Sequence, residues 1–369
     1  MKMIGARLIA ASCLIGLIAV LLSIVRYSDF FRTWLLRVPR VGFVLYGLAG
    51  GDVPPYFDWR IFEREAEWTK PGDVFIVSGG KTGSTWLCNI VHEIRTRGNP
   101  PIFTDIYNEV PLVEFVYYPG QSMQERIEIL NNASKKYSLS VYKTHLKPPM
   151  LKLRSDAKYI LIVRNVEDIV ASLKPFLQSH SPVFAKMWGG FPIQAGMSID
   201  AISKSEYENY VLNDMGGGQS QLDVFVLDFL RGWWPYRNHS NIMFVHYHDL
   251  LTDFGSQLER LASFMGIHLS PDEMTLIEHR ISFDFMSKHR SRFNLQHILD
   301  ASKARGKVPA DVFFLSGQLM DRGPSRSGIR ELDDELVKKI RLRTNKVFGQ
   351  KIANWVENGG EFPRNENMP

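Results

Sequence analysis

Residues 79–85, Gly-Gly-Lys-Thr-Gly-Ser-Thr, combine glycines, hydroxyl side chains and one lysine in a stretch that can hold an anionic group. Glycines let backbone N–H groups approach an anion closely, the hydroxyls donate hydrogen bonds, and Lys81 supplies positive charge. The stretch follows the apolar run Val74–Val77 and precedes a helical pattern. A helix that begins directly after such a turn adds the positive end of its dipole. We therefore predict a phosphate-type anion site at this turn.

The turn differs from an ATP-binding P-loop, which reads G-x-x-x-x-G-K-[ST]. Residues 80–82, Gly-Lys-Thr, supply the end of that motif, but position 75 is Phe where the first glycine should stand. An NTPase also needs an aspartate at the end of another apolar strand to hold Mg²⁺. The apolar run Tyr159–Val163 is followed instead by Arg164, which repels a metal ion and attracts a second anion. The sequence predicts a site for two separate anions without a metal.

The elements that must position these residues alternate between β-rich runs and amphipathic helices from about residue 55 onward. The predicted strands are Val74–Val77, Ser140–Tyr142, Tyr159–Val163 and Ile242–Val245. This alternation predicts an α/β fold with a central parallel sheet that is flanked by helices. Ligands of such sheets bind beyond the carboxyl ends of the strands. The residues that follow these ends are cations, hydroxyls and imidazoles: 78–86, Lys143–His145, Arg164 and His246–His248.

The composition of the chain is that of an ordinary globular protein, with 369 residues of which 45% are hydrophobic and 22% charged. The formal net charge of +5 suits an anionic ligand or an anionic membrane surface. Nucleic acid is a poorer partner, because no block of Lys and Arg is interleaved with aromatic residues. The two cysteines, Cys13 and Cys88, cannot form a cysteine zinc site, and their small number favours a reducing compartment.

The N-terminal residues 8–25 form an uncharged apolar run of about 18 residues, just long enough to cross a bilayer. A signal peptide is the alternative, but its apolar core is usually shorter and is followed by a cleavage site with small residues. Here the bulky, basic sequence RYSDFFR follows at position 26. We predict a single transmembrane helix at 8–25 as a membrane anchor, then a juxtamembrane linker at 26–59.

The orientation of this anchor is open. Positive charges after the span outnumber those before it, which favours a cytosolic catalytic domain. The basic residues concerned are Lys2 and Arg7 before the span, and Arg26, Arg32, Arg37 and Arg40 after it. Two glycosylation sequons, at Asn132 and Asn238, are typical of a lumenal domain and leave the Golgi lumen as an alternative.

Several motifs resemble those of sulfotransferases. The sequence SGGKTGSTW at 78–86 resembles the 5′-phosphosulfate loop of that family, usually Pro-Lys-Ser-Gly-Thr-Thr-Trp. The sequence VRNVEDIVAS resembles the family's 3′-phosphate motif, with Ser172 eight positions after Arg164. The sequences KTH at 143–145, FVHYHDLL at 244–251 and GWW at 232–234 resemble the cytosolic phenol and steroid branch. These motifs stand in family order across about residues 60 to 345, and together they are specific where one loop alone is weak.

The resemblance implies a P-loop-like three-layer domain at 60–350 that is followed by a C-terminal tail at 351–369. It implies an enzyme that moves a sulfuryl group from 3′-phosphoadenosine 5′-phosphosulfate (PAPS) to a hydroxyl acceptor, with no metal. His145 is then the general base, and Lys81 and Lys143 assist catalysis. The residues implied in donor binding are Lys81, Thr82, Gly83, Ser84, Thr85, Trp86, Arg164, Ser172, Tyr247, Phe283, Arg322 and Gly323.

The sequence departs from the family pattern at three positions: Gly80 stands where Pro is usual, Ile281 where Thr is common, and Asp321 where a cation is common. Asp321 and Ile281 keep a non-catalytic nucleotide-binding protein open as an alternative, and a P-loop nucleotide kinase is a second alternative. The stretch 174–232 is rich in aromatic residues and predicts an apolar acceptor such as a phenol, a sterol or a lipid alcohol. The dimer signature of cytosolic members is not visible, so the oligomeric state stays open.

Overall fold

The computed structural model describes residues 16–18, 20, 58–118, 121–178, 203–213, 220, 222–295, 300, 302–304 and 332–369. The predicted anchor at 8–25 and the linker at 26–59 lie almost entirely outside these residues. Among the helices of the described residues, none combines the length and the apolar character that a bilayer crossing requires.

A parallel sheet of four strands lies at the centre of the described chain. The strands are β1 (Val74–Ser78), β2 (Val141–Thr144), β3 (Lys158–Val163) and β4 (Ile242–His246), in the order β2-β1-β3-β4. Val74 pairs with Val141 on one side and with Lys158 on the other. All four predicted strands are confirmed, with boundaries shifted by no more than about two residues.

Helices connect and cover these strands, as parallel strands require crossover connections. The helices are α1 (Ser84–Arg95), α2 (Ile106–Glu109), α3 (Met123–Lys135), α4 (Val166–Gln178), α5 (Lys204–Leu212), α6 (Asp228–Trp233), α7 (Tyr247–Thr252), α8 (Phe254–Met265), α9 (Pro271–Ile281), α10 (Phe283–Lys288), α11 (Asp334–Phe348) and α12 (Gln350–Asn358). Short 3-10 helices occur at Trp59–Glu67, Trp234–Tyr236 and Arg290–Phe293, and a π-helical turn at Asp223–Leu227.

Both faces of the sheet are buried, and alternate residues of each strand enter different cores. Phe75 and Val77 of β1 pack in one core with residues of α3, α4, α11 and α12. Val74 and Ile76 pack in the other core with residues of α1, α8 and α9. Burial on both faces explains why the strands read as unbroken apolar runs rather than as alternating ones. The predicted three-layer α/β arrangement is confirmed.

The turn between β1 and α1 contains two residues with left-handed backbone. Lys81 has φ 60° and Gly83 has φ 97°. Gly83 also lies against the ring of Tyr247, because a Cβ at this position would approach Cδ2 of that ring to 2.6 Å. The glycine is therefore required twice, once by the backbone and once by the close contact.

The predicted C-terminal tail, 351–369, packs onto the domain. Ile352, Trp355 and Val356 of α12 are buried in the same core as Phe75. The indole N–H of Trp234 donates to the backbone carbonyl of Glu366 at 3.0 Å, which fixes the last residues against the π-helical and 3-10 region.

Replacing Gly83 by alanine tests the double requirement for glycine. A left-handed φ costs a residue with a side chain roughly 1–2 kcal/mol, and overpacking against a ring adds about 1–3 kcal/mol. We expect G83A to lower the free energy of unfolding by about 2–5 kcal/mol, measured by urea denaturation of the full chain.

Gly72 provides the matched control. It has φ +87°, but a Cβ there meets no atom within 4 Å. G72A should therefore lower the free energy of unfolding only by the cost of the left-handed backbone, about 1–2 kcal/mol. Equal losses in the two variants would show that the contact between Gly83 and Tyr247 does not matter.

Candidate active site

The start of α1 presents backbone N–H groups at the carboxyl end of β1. The first hydrogen bond of the helix runs from the N–H of Leu87 to the carbonyl of Gly83 at 3.1 Å. The N–H groups of residues 84–86 precede this ladder, and no side chain caps the helix. Uncapped N–H groups at a helix start favour an anion through hydrogen bonds and through the dipole. The predicted anion turn is thus built as such a site requires.

Lys81 and Arg164 lie together at this edge of the sheet. Arg164 directly follows β3, and Nη1 of its guanidinium group donates to the backbone carbonyl of Lys81 at 3.2 Å. Nε of Arg164 is buried without a hydrogen-bond partner, 3.6 Å from a carboxylate oxygen of Asp168. Two cations from different strand ends therefore border one site, as the sequence predicts for a ligand with two anionic groups.

Each of the three cations of the site lies over an aromatic ring. The Nζ atom of Lys81 is 4.5 Å from the ring centroid of Phe176, and that of Lys143 is 4.8 Å from the ring of Tyr107. The Arg164 guanidinium carbon is 4.4 Å from the ring of Tyr247. Within the described ranges neither lysine forms an ion pair. Aromatic faces attract cations without neutralising them, so the positive charge stays available to a ligand.

Burial and the neighbouring cations change the pKa of Lys81. Burial of its ammonium group, and then repulsion from Arg164 and Lys143, lower the pKa of Lys81 to about 7. A bound anion would favour the charged ammonium and raise this pKa again.

Aromatic residues form a wall beside the turn. The rings of Trp86 and Tyr247 meet edge to face with centroids 5.3 Å apart. The indole N–H of Trp86 donates to the backbone carbonyl of Ile281 at 2.9 Å, so position 281 contributes its backbone here and its side chain is buried. Phe283, at the start of α10, is 40% exposed. The role of these rings as an adenine pocket stays a prediction.

Several predicted binding residues use their hydroxyl groups within the protein. The hydroxyl of Thr82 donates to the carbonyl of Gly79 at 3.1 Å and shapes the turn. The hydroxyl of Ser172 donates to the carbonyl of Ile169 at 2.8 Å on α4, the helix that also carries Phe176. Ser84 is buried at the helix start. These three residues lie on the elements that frame the site. Among the described residues, no hydrogen bond, ion pair or ring contact joins Ser172 or Phe283 directly to Lys81.

His145 follows β2 and is oriented by the end of β1. Its Nδ1 is 2.7 Å from the backbone carbonyl of Ser78, an acceptor, so Nδ1 carries the proton and Nε2 is the basic nitrogen. Burial and then the charge of Lys143 lower the pKa of His145 to about 3, against the opposing hydrogen bond to Ser78. The imidazole is therefore neutral at physiological pH, the form that a general base needs.

Two residues of the segment 105–118 join the site, although the sequence did not single them out. The hydroxyl of Tyr107 lies 3.2 Å from Nζ of Lys143 and 2.8 Å from Oγ1 of Thr85. Oε1 of Glu114 accepts from the backbone N–H of His145 at 2.5 Å, and Oε2 is buried without a partner. Burial raises the pKa of Glu114 to about 7. One signal was present in the sequence: Glu114 is a lone carboxylate in the apolar run 110–118.

Arg322 and Gly323, predicted to help bind the donor, lie outside the described residues. The same holds for Asp321 and for most of the aromatic stretch 174–232. Among the residues that the structure describes, no group of His, Cys, Asp and Glu is arranged to hold a metal ion.

The family model of the sulfotransferase domain matches residues 71–354, which is most of the chain. The chain belongs to the sulfotransferase family. The predicted enzyme class, a transferase of sulfuryl groups, is thereby confirmed.

Curated relatives include an amine sulfotransferase of Oryctolagus cuniculus, 25% identical over 66% of this chain and 72% of the relative. Sulfotransferase 1B1 of Mus musculus is 25% identical over 67% of this chain and 76% of its own length. Among solved structures, mouse sulfotransferase SULT7A1 complexed with PAP, the desulfated donor, has a TM-score of 0.55 at 17% identity, covering 83% of this chain and 95% of that one. Retinol dehydratase complexed with androsterone and PAP has a TM-score of 0.51 at 15% identity, covering 82% and 85%. These structures confirm the predicted fold.

The lowered pKa of Lys81 predicts a pH-dependent affinity for PAP. Below pH about 7 the ammonium is already charged in the free protein, so the titration of Lys81 does not change the affinity there. Above that pH, binding must take up a proton, and we expect the affinity to fall by up to about tenfold per pH unit. Isothermal titration calorimetry in buffers of different ionisation enthalpy measures both the affinity and the proton uptake.

The variant K81R is the control, because a guanidinium stays charged over this range. The phosphates of the ligand also titrate, with a pKa of about 6, and this titration affects binding to K81R and to the wild type alike. The difference between the two proteins therefore isolates Lys81. Identical pH profiles and identical proton uptake would contradict the assignment.

Proposed function

We propose that this site transfers a sulfuryl group from PAPS to a hydroxyl acceptor, with His145 as the general base. The observation that carries the proposal is the meeting of Lys81 and Arg164 at the uncapped start of α1. Lys81, the 84–86 N–H groups and Thr85 bind the 5′-phosphosulfate, and Arg164 binds the 3′-phosphate. Trp86, Tyr247 and Phe283 border the adenine. Ser172, Arg322 and Gly323 are proposed to complete the 3′-phosphate site.

The chemical step needs one proton acceptor and one group that stabilises developing charge. His145 takes the proton of the acceptor hydroxyl on Nε2 as the oxygen forms a bond to sulfur. The bond between sulfur and the bridging oxygen breaks, and its electron pair stays on the 5′-phosphate of PAP. Lys81 stabilises the charge that grows on that oxygen, and Lys143 steadies the sulfuryl oxygens or the acceptor.

We propose an apolar alcohol as the acceptor, namely a phenol, a sterol or a lipid alcohol. Phe176 covers Lys81, and the buried aromatic residues Phe115, Tyr117 and Tyr118 lie in the segment that contacts His145 through Glu114. Retinol dehydratase, which shares the fold, has been solved with androsterone and with retinol. The amine sulfotransferase among the relatives makes amines the comparison class in an acceptor panel.

Replacing His145 by alanine tests the function. H145A removes the proton acceptor but no cation, so we expect the rate of transfer from PAPS to fall by about 10²–10⁴-fold while the dissociation constant of PAP stays within about twofold. H239A, at an exposed histidine, is the control and should keep full activity. Radiolabelled sulfuryl transfer to a panel of phenols, sterols, amines and sugars measures the rate.

Two outcomes would contradict the proposal. Wild-type protein that binds ATP with Mg²⁺ more tightly than PAP would favour the kinase alternative. Wild-type protein that binds PAP but sulfates no acceptor of the panel would favour a non-catalytic nucleotide-binding protein.

We propose further that residues 8–25 anchor the chain in a membrane with the catalytic domain in the cytosol. The full chain should then resist extraction by alkaline carbonate, and a chain without residues 1–25 should be extracted. Asn132 and Asn238 are both exposed, so a lumenal domain would be open to glycosylation. A mobility shift on treatment with N-glycosidase would overturn the cytosolic orientation, and extraction of the full chain would overturn the anchor.

A further inference from the structure

The hydroxyl of Tyr107 lies between a cation of the site and the start of α1. Nζ of Lys143 is 3.2 Å from this hydroxyl, and Oγ1 of Thr85 is 2.8 Å from it. All three residues lie at the same edge of the sheet, and Tyr107 and Lys143 are buried. They form a continuous chain of polar groups that leads from β2 to the second residue of α1.

The direction of the hydrogen bonds in this chain follows from the chemistry of its first member. A lysine ammonium has three donors and no acceptor, so Lys143 must donate to the oxygen of Tyr107. The phenolic proton then has one recorded acceptor within the described residues, Oγ1 of Thr85. Because Oγ1 is now an acceptor, the proton of the Thr85 hydroxyl is directed elsewhere. The reverse direction would leave the buried phenolic proton without a partner, which is costly.

We propose that Tyr107 is a positioning residue that makes the Thr85 hydroxyl a hydrogen-bond donor toward the anionic donor nucleotide. The chain runs from Lys143 through Tyr107 to Thr85, and each hydrogen bond strengthens the next. This inference rests on the proposed function, since the ligand it concerns is the sulfuryl donor.

The placement of Tyr107 explains why a tyrosine suits this position. Asp105 caps the short helix α2 by accepting from the backbone N–H of Tyr107 at 3.0 Å, which fixes the backbone of the tyrosine. The segment that follows lies along β2, where the N–H of Lys143 donates to the carbonyl of Pro111 at 2.9 Å. The ring of Tyr107 thus stays against Lys143, and its hydroxyl reaches across to α1.

The variant Y107F tests the proposal, because it keeps the ring over Lys143 and removes only the hydroxyl. We expect the dissociation constant of PAP to rise by about three- to tenfold and the KM for the acceptor to change by less than about twofold. T85V should raise the dissociation constant of PAP by a similar factor, and T85S, which keeps a hydroxyl, should stay within about twofold of wild type. In the Y107F background, T85V should add less than about twofold, since the two residues act as one unit.

Y142F is the matched control for the loss of a buried phenolic hydroxyl. Tyr142 precedes Lys143 on β2, and its hydroxyl donates to the carbonyl of Trp68 at 2.9 Å in the opposite core. Y142F should lower the melting temperature as much as Y107F does, without changing the dissociation constant of PAP.

The outcomes separate the two proposals. If wild type does not bind PAP, the proposed function fails. If wild type binds PAP, K81A weakens binding and Y107F does not, only the role of Tyr107 is overturned. If the Y107F and T85V effects multiply independently, the hydrogen-bond chain is overturned. Should Y107F fail to fold, equal affinities of T85V, T85S and wild type for PAP would overturn the proposal by themselves.

Discussion

Three cations gathered at one edge of the sheet, with little negative charge beside them, are the constraint on which the site depends. Within the described ranges, only Arg164 has a carboxylate at ion-pair distance, at 3.6 Å from Asp168. Burial of the ammonium group, and then the repulsion from Arg164 and Lys143, lower the pKa of Lys81. Such an arrangement does not stabilise the fold, and it is held in place by the three strands that converge there. An anionic ligand with two charged ends relieves it, which is a physical reason for tight binding.

At Lys81 and Lys143, aromatic rings take the place that carboxylates would otherwise have. A carboxylate beside each cation would stabilise the empty protein, but the ligand would then have to displace it. A ring at 4.4 to 4.8 Å gives attraction without opposite charge. The three rings come from α4, α2 and α7, so the cations contact three separate elements rather than one loop. Gly83 allows this arrangement, because only a residue without a Cβ lets Tyr247 approach the turn.

The sequence predicts those parts of the site that are set by short motifs and by the ends of apolar strands. The strand ends, the anion turn, Arg164 and His145 follow from apolar runs and short motifs, because the carboxyl ends of parallel strands must meet. Tyr107 and Glu114 could not be predicted in the same way. Their positions in the site arise from contacts between the segment 105–118 and β2, which are separated along the chain. No motif in the sequence marks these two residues. The hydroxyl of Thr82 is a second example: its residue type fits a ligand contact, but the backbone of the turn uses it.

The proposed base, His145, and the anion turn are connected through one residue. Ser78 ends β1 directly before the turn, and its carbonyl holds Nδ1 of His145 at 2.7 Å. The charge of Lys143 is one of the two causes that lower the pKa of His145 to about 3, so the imidazole is a weak base in the protein alone. An anion bound beside Lys81 and Lys143 offsets that charge and raises the basicity of the imidazole. In the proposed mechanism, the donor that the cations attract thereby raises the basicity of the group that accepts the proton.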